Sequence, residues 1–164
     1  MRKKQLAVND KTLWDADYEP TVRLFEHELG LLRGMDVHCQ KKFSLKDLTS
    51  IGDYSVTTIM AHHEEDQGLI ELYDGRYDFP TFLDAIPSGY DKIFDLTLCR
   101  STGLQMAIRR KFPDAVTVAN KLDTNPEFRL ICYRKAISLL QGELSYVDAI
   151  ARVRLLLINS DKFK

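Results

Sequence analysis

Apolar positions recur along this chain with two periods, one of helices and one of strands. Val22, Phe25, Leu29 and Leu32 fall on a single helical face, with Pro20 in the first turn and Gly34 at the end. Residues 4–8 and 35–43 read as the first two strands. Val56, Ile59 and Met60 lie among threonines in a short apolar run, which fits a buried parallel strand. Between them, Ser44 and Asp47 have capping-box spacing and open a short helix. Residues 68–72, followed by Asp74 and Gly75, predict a hairpin. A short helix over residues 79–86 has Pro80 near its start. Ile93, Phe94, Leu96 and Leu98 make another strand. Ser101 or Thr102 then caps a helix buried through Leu104, Ala107, Ile108 and Phe112. Residues 115–119 are a fifth strand of the main sheet. Asn125 caps a long helix with Phe128, Ile131, Cys132, Ala136, Leu139 and Leu140 as its stripe, and Gly142 breaks it. Ser145 and Asp148 open a last helix ending near Asn159, with Ile150 and Leu155 expected inside. Trp14 is expected to anchor the polar loop before the first helix.

Strands alternating with helices predict an α/β fold, a mostly parallel sheet with helices on both faces. At 164 residues the chain is read as one domain, residues 1–164, able to bury a core unaided. A net charge of −1 gives no ground for a nucleic-acid or membrane partner. The basic start of the chain is followed by only three apolar residues, too few for a signal peptide, so a cytoplasmic protein is expected. The three cysteines, Cys39, Cys99 and Cys132, are spaced like neither a disulfide framework nor a zinc site. No G-x-G-x-x-G or Walker pattern occurs, and His62, His63, Glu64 and Glu65 lack a further ligand at metal-site spacing. No cofactor and no metal are expected.

The chemistry concentrates at two strand ends. One apolar run stops at His62 and His63, another at Cys99-Arg100-Ser101. In open α/β sheets the working crevice lies at the carboxyl ends of the strands. Neighbouring parallel strands would set an imidazole beside a thiol there, as a nucleophile and base require. A following helix N-terminus and Arg100 both favour thiolate. The competing reading is an inert thiol and two polar residues closing a strand. Successive side chains on a strand point oppositely, so only one of the two histidines can serve. Acidic Asp66, Asp74 and Asp95 would select a basic substrate residue, and Arg76 or Arg100 an acidic one; the sequence leaves this open.

The stretch IMAHHEEDQGLIELYDG followed by LTLCRS resembles the caspase-like cysteine peptidases. The closer likeness is to their CHAT domain, whose C-terminal helices resemble YRKAISLLQGELSYVDAIARVRLLL. The likeness spans roughly residues 5–158, nearly one whole domain of ordinary size. It implies a caspase-like three-layer sandwich and a cysteine endopeptidase with Cys99 as nucleophile and His62 as acid/base. The backbone N–H groups of His63 and Cys99 would bind the oxyanion. His63 stands where the family has Gly. A protein or peptide substrate and a partner subunit are implied. The alternative is a catalytically inactive CHAT-like interaction module.

Overall fold

The computed structural model describes residues 3–9, 19–121, 125–140 and 144–158. Trp14, Gly142 and Asn159 lie outside them. The chain forms β1 (Lys4–Asn9), α1 (Glu19–Gly34), β2 (Val37–Gln40), β3 (Val56–Glu64), β4 (Leu69–Leu72), β5 (Gly75–Asp78), α2 (Phe79–Asp84), β6 (Ile93–Leu96), α3 (Thr102–Lys111), β7 (Val116–Ala119), α4 (Pro126–Leu139) and α5 (Tyr146–Ile158). A 3₁₀ segment over Leu45–Asp53 replaces the short helix expected after Ser44. The Asp47 carboxylate still accepts from the Ser44 amide at 2.8 Å, as the capping box predicts.

The main sheet runs β2-β1-β3-β6-β7, all parallel. β3 is long enough to outrun its parallel neighbours, and its last residues pair with the antiparallel hairpin β4-β5. The result is an α/β three-layer sandwich. On one face α1, α4 and α5 bury Phe25, Leu29, Leu130, Tyr133 and Ile150 against Leu6, Val56 and Met60. On the other, the 3₁₀ segment, α2 and α3 bury Leu48, Phe82, Leu104 and Ile108 against Ile59, Phe94 and Leu96. Burial on both faces explains why the central strands read as continuous apolar runs.

The inner face of α4 differs from the expected stripe. Arg129, Leu130, Cys132, Tyr133, Ala136 and Ile137 are buried, whereas Phe128, Ile131, Leu139 and Leu140 are only partly so. On α5, Ile150 is buried as expected but Leu155 is 61% exposed. No helix among the described residues is long and apolar enough to cross a membrane.

Candidate active site

β3 and β6 lie side by side with Ile59 opposite Leu96. Both chains continue beyond that pair towards the carboxyl edge. β3 runs on through His62, His63 and Glu64 in the grip of β4, with His63 opposite Ile70. The chain leaving β6 passes Thr97 and Leu98 and turns at Cys99 and Arg100 into α3. Arg100 makes that turn with φ of 43°, a left-handed conformation uncommon for a residue with a Cβ.

Two side chains pin the turn from below. The Ser101 hydroxyl donates to the Leu96 carbonyl at 3.1 Å and accepts from the Asn120 amide at 3.0 Å. Asn120 Nδ2 donates to the Leu98 carbonyl at 3.2 Å. Ser101 therefore ties two strand ends together instead of capping α3. The cap comes from Glu65, whose Oε1 accepts from the Gly103 amide at 2.8 Å and the Thr102 hydroxyl at 3.2 Å. A Cβ on Gly103 would stand 3.0 Å from that oxygen, so glycine leaves the carboxylate its room. The run that supplies the histidines thus also supplies the carboxylate for the helix start, where negative charge is favoured.

Strand alternation sorts the histidines. His63 is in step with Ile59 and Ala61, which face the α2–α3 core. It is 6% exposed, and its ring stacks on Phe79 with centroids 5.5 Å apart. Its Nδ1 lies 2.8 Å from the Cys99 carbonyl oxygen. A carbonyl only accepts, so Nδ1 carries the hydrogen. In the neutral ring Nε2 is then the bare basic atom. It is buried and has no hydrogen-bond partner among the described residues. His62 points the other way; its side chain is 56% exposed, and its Nε2 is 4.0 Å from the Glu64 carboxylate.

The imidazole set against Cys99 is therefore that of His63, not of His62 as the resemblance implies. The reason lies in β3, which does not end at Ala61 but continues to Glu64, so side-chain alternation continues with it. The same continuation holds the His63 backbone within the β3–β4 ladder, opposite Ile70.

The thiol is engaged by a different residue. Arg129 on α4 donates to Cys99 Sγ at 3.0 Å through one terminal nitrogen and to the Thr97 carbonyl at 2.7 Å through the other. Cys99, His63, Arg100 and residues 64–67 line a cavity of about 310 Å³. The cavity is thus lined by a cysteine, a histidine and, in Arg100, a cation, the residue types that nucleophilic chemistry uses.

The candidate specificity residues scatter. Asp66 lines this cavity. The Asp74 carboxylate accepts from the Leu45 amide, on the hairpin. Arg76 pairs with Glu64 at 3.2 Å and with Glu71 at 3.4 Å. Asp95 is buried under the sheet's other face, accepting from the Tyr146 and Thr97 hydroxyls. Burial holds its carboxyl above the usual carboxylate range. Cys39 and Cys132 are packed as small core residues, and burial pushes each thiol up to about 11. Among the described residues no group of three or more His, Cys, Asp and Glu side chains could hold a metal ion.

Arg129, Glu65 and Asn120 are the site residues that sequence reasoning missed. Glu65 lay in plain view beside the histidines. Arg129 is a charged residue on a buried helical face, a signal visible only once that face is known. No protein-family model matches the chain, and no curated protein does.

Proposed function

We propose that the chain is a cysteine endopeptidase of the caspase-like, CHAT type, with Cys99 as nucleophile and His63 as acid/base. The observation that carries this is His63, whose ring Nδ1 is fixed on the Cys99 carbonyl, whose Nε2 is buried without a hydrogen-bond partner among the described residues, and which lines the same cavity as Cys99. A turn about the Cys99 Cα–Cβ bond would carry Sγ from Arg129 towards that nitrogen. Nε2 takes the thiol proton, and the thiolate adds to a peptide carbonyl carbon. His63 passes a proton to the leaving amine, the C–N bond breaks and a thioester remains. Water, deprotonated by His63, cleaves the thioester and frees the thiol. The strand order β2-β1-β3-β6-β7, with the His strand beside the Cys strand, is in keeping with the same family reading. A protein or peptide substrate, a partner subunit and a cytoplasmic setting belong to this proposal.

A second reading, the inactive interaction module, is favoured by one observation: Arg129, not His63, is the group bonded to the thiol. A mixed fluorogenic peptide library separates the two. The parent should turn over, Cys99→Ala should not, and His63→Ala should fall by about 10² or more, the scale of a lost general acid/base. His62→Ala should stay within a few-fold of the parent. Turnover that survives Cys99→Ala would end the peptidase reading. If His62→Ala is dead while His63→Gly works, the base is His62. A parent that folds but cleaves nothing in the library supports the interaction module.

A further inference from the structure

The cysteine and histidine of the candidate site are held by opposite layers of the fold. His63 is in step with the residues of β3 that pack on α2 and α3, and its ring stacks on Phe79. Cys99 Sγ instead accepts a hydrogen bond from Arg129, a buried residue of α4 on the sheet's other face. The remaining terminal nitrogen of Arg129 donates to the Thr97 carbonyl at 2.7 Å. One guanidinium thus clips the chain on both sides of Leu98. Arg129 is 7% exposed and interacts electrostatically with the buried Asp95. A planar fork anchored in this way fixes what it holds more firmly than a flexible ammonium would.

A thiol could accept from a guanidinium and donate to an imidazole at once. Here it does only the first. Nε2 of His63 is buried without a hydrogen-bond partner among the described residues, so Cys99 Sγ is not bonded to it. A base takes a proton only from a group within hydrogen-bond reach. The sulfur must therefore approach His63 before the ring can activate it, and the contact with Arg129 opposes that approach.

We infer that Arg129 is an autoinhibitory latch on Cys99: it holds the sulfur out of hydrogen-bond reach of His63 Nε2, and the site becomes active when that contact is broken. As a brake on peptide cleavage the latch rests on the peptidase reading; the hold on the sulfur does not. Arg129 is a positioning residue in this role, because it acts through Cys99 and not on substrate.

The test compares the parent, Arg129→Met, which keeps an apolar stem and removes the donors, His63→Ala, and the double variant. Iodoacetamide alkylation of Cys99 at about pH 7, read by peptide mass mapping, is the first measurement. In the parent, His63→Ala should change the rate by less than about twofold, since a ring out of reach cannot take the thiol proton. In Arg129→Met the same substitution should lower the rate about tenfold or more, the scale of one charge-assisted hydrogen bond released. A merely structural Arg129 would not make Cys99 depend on His63. Equal effects of His63→Ala in the two backgrounds would overturn the latch. Turnover of the fluorogenic library by folded Arg129→Met should exceed the parent's by about tenfold or more. Turnover below the parent's would overturn the brake and show that catalysis needs the contact. If nothing is cleaved by any of these proteins while alkylation behaves as stated, the latch stands and the peptidase reading is what fails. NMR of the full chain with Arg129 intact supplies a check that needs no change in α4. Cys99→Ala should move the Arg129 guanidinium signals and leave the His63 Nε2 signal in place. The reverse pattern would overturn the latch even if Arg129→Met fails to fold.

Discussion

Three thiols in one small chain differ in what surrounds them. Cys39 donates to the carbonyls of Val37 and Leu29, and Cys132 sits on the buried face of α4; burial raises both to about 11. At about pH 7 both are protonated and poorly nucleophilic. Cys99 is partly exposed at a cavity wall. Brief iodoacetamide treatment of the native protein should therefore add one label, at Cys99, with the other two reacting only after unfolding. Peptide mass mapping reads this directly, and two native adducts would refute it. Asp95 supports a second prediction at this scale. Its folded value is raised by burial, so the folded state holds its proton more tightly than the unfolded chain does. The stability tied to that proton is complete below the ordinary carboxylate range and is lost as pH climbs through the raised folded value. Asn keeps a neutral group at every pH. In urea melts, Asp95→Asn should gain on the parent as pH rises from about 4 to about 8. A gap that is flat or shrinks with pH would show that Asp95 is buried as the anion.

Helices and strands were legible to different depths. Periodicity placed every strand of the main sheet within a few residues, and Phe25, Leu29 and Leu32 fill the inner face of α1 as their spacing predicts. The alternation of strand and helix was enough to give the parallel sheet with helices on both faces. α4 resisted because two helical faces carry apolar residues, and the buried one includes Arg129 and Tyr133, whose polar ends disguise it. The histidine site resisted for a related reason. Nothing local marks where β3 stops, and one residue of strand reverses which imidazole faces inward. Pairing with β4, a tertiary event, settles it. The shift of face in α4 and α5 has a measurable counterpart. Leu130 is fully buried and Leu155 is 61% exposed. Leu130→Ala should cost about 2–5 kcal/mol in a urea melt. Leu155→Ala should stay within about 0.5 kcal/mol. Comparable losses at the two positions would mean that α5 is covered by a further element at its exposed face.

At the scale of the molecule, the sheet divides two cores and also joins them. Phe82 belongs to the core under α2 and α3, Leu130 to the core under α4 and α5. The strands between supply both: Met60 faces one core and Ile59 the other, on the same strand. Neither helical layer can leave without exposing one face of β1, β3 and β6. A layer stripped from the sheet would put a continuous apolar surface in water, so the two cores should melt together. The residues lie on opposite faces with no shared cluster, so their losses should be independent even though the transition is common. The double variant Phe82→Ala/Leu130→Ala should lose the sum of the single losses within about 0.5 kcal/mol. Fluorotyrosine signals report the cores separately, Tyr90 for the α2–α3 side and Tyr133 for the α4–α5 side. Both should vanish at one urea concentration in the parent and in each single variant. If Phe82→Ala lowers the Tyr90 midpoint and leaves Tyr133 native, the layers unfold separately. The Cys99 turn, pinned through Ser101 and Asn120 on one side and Arg129 on the other, would then be free to open with only one layer lost.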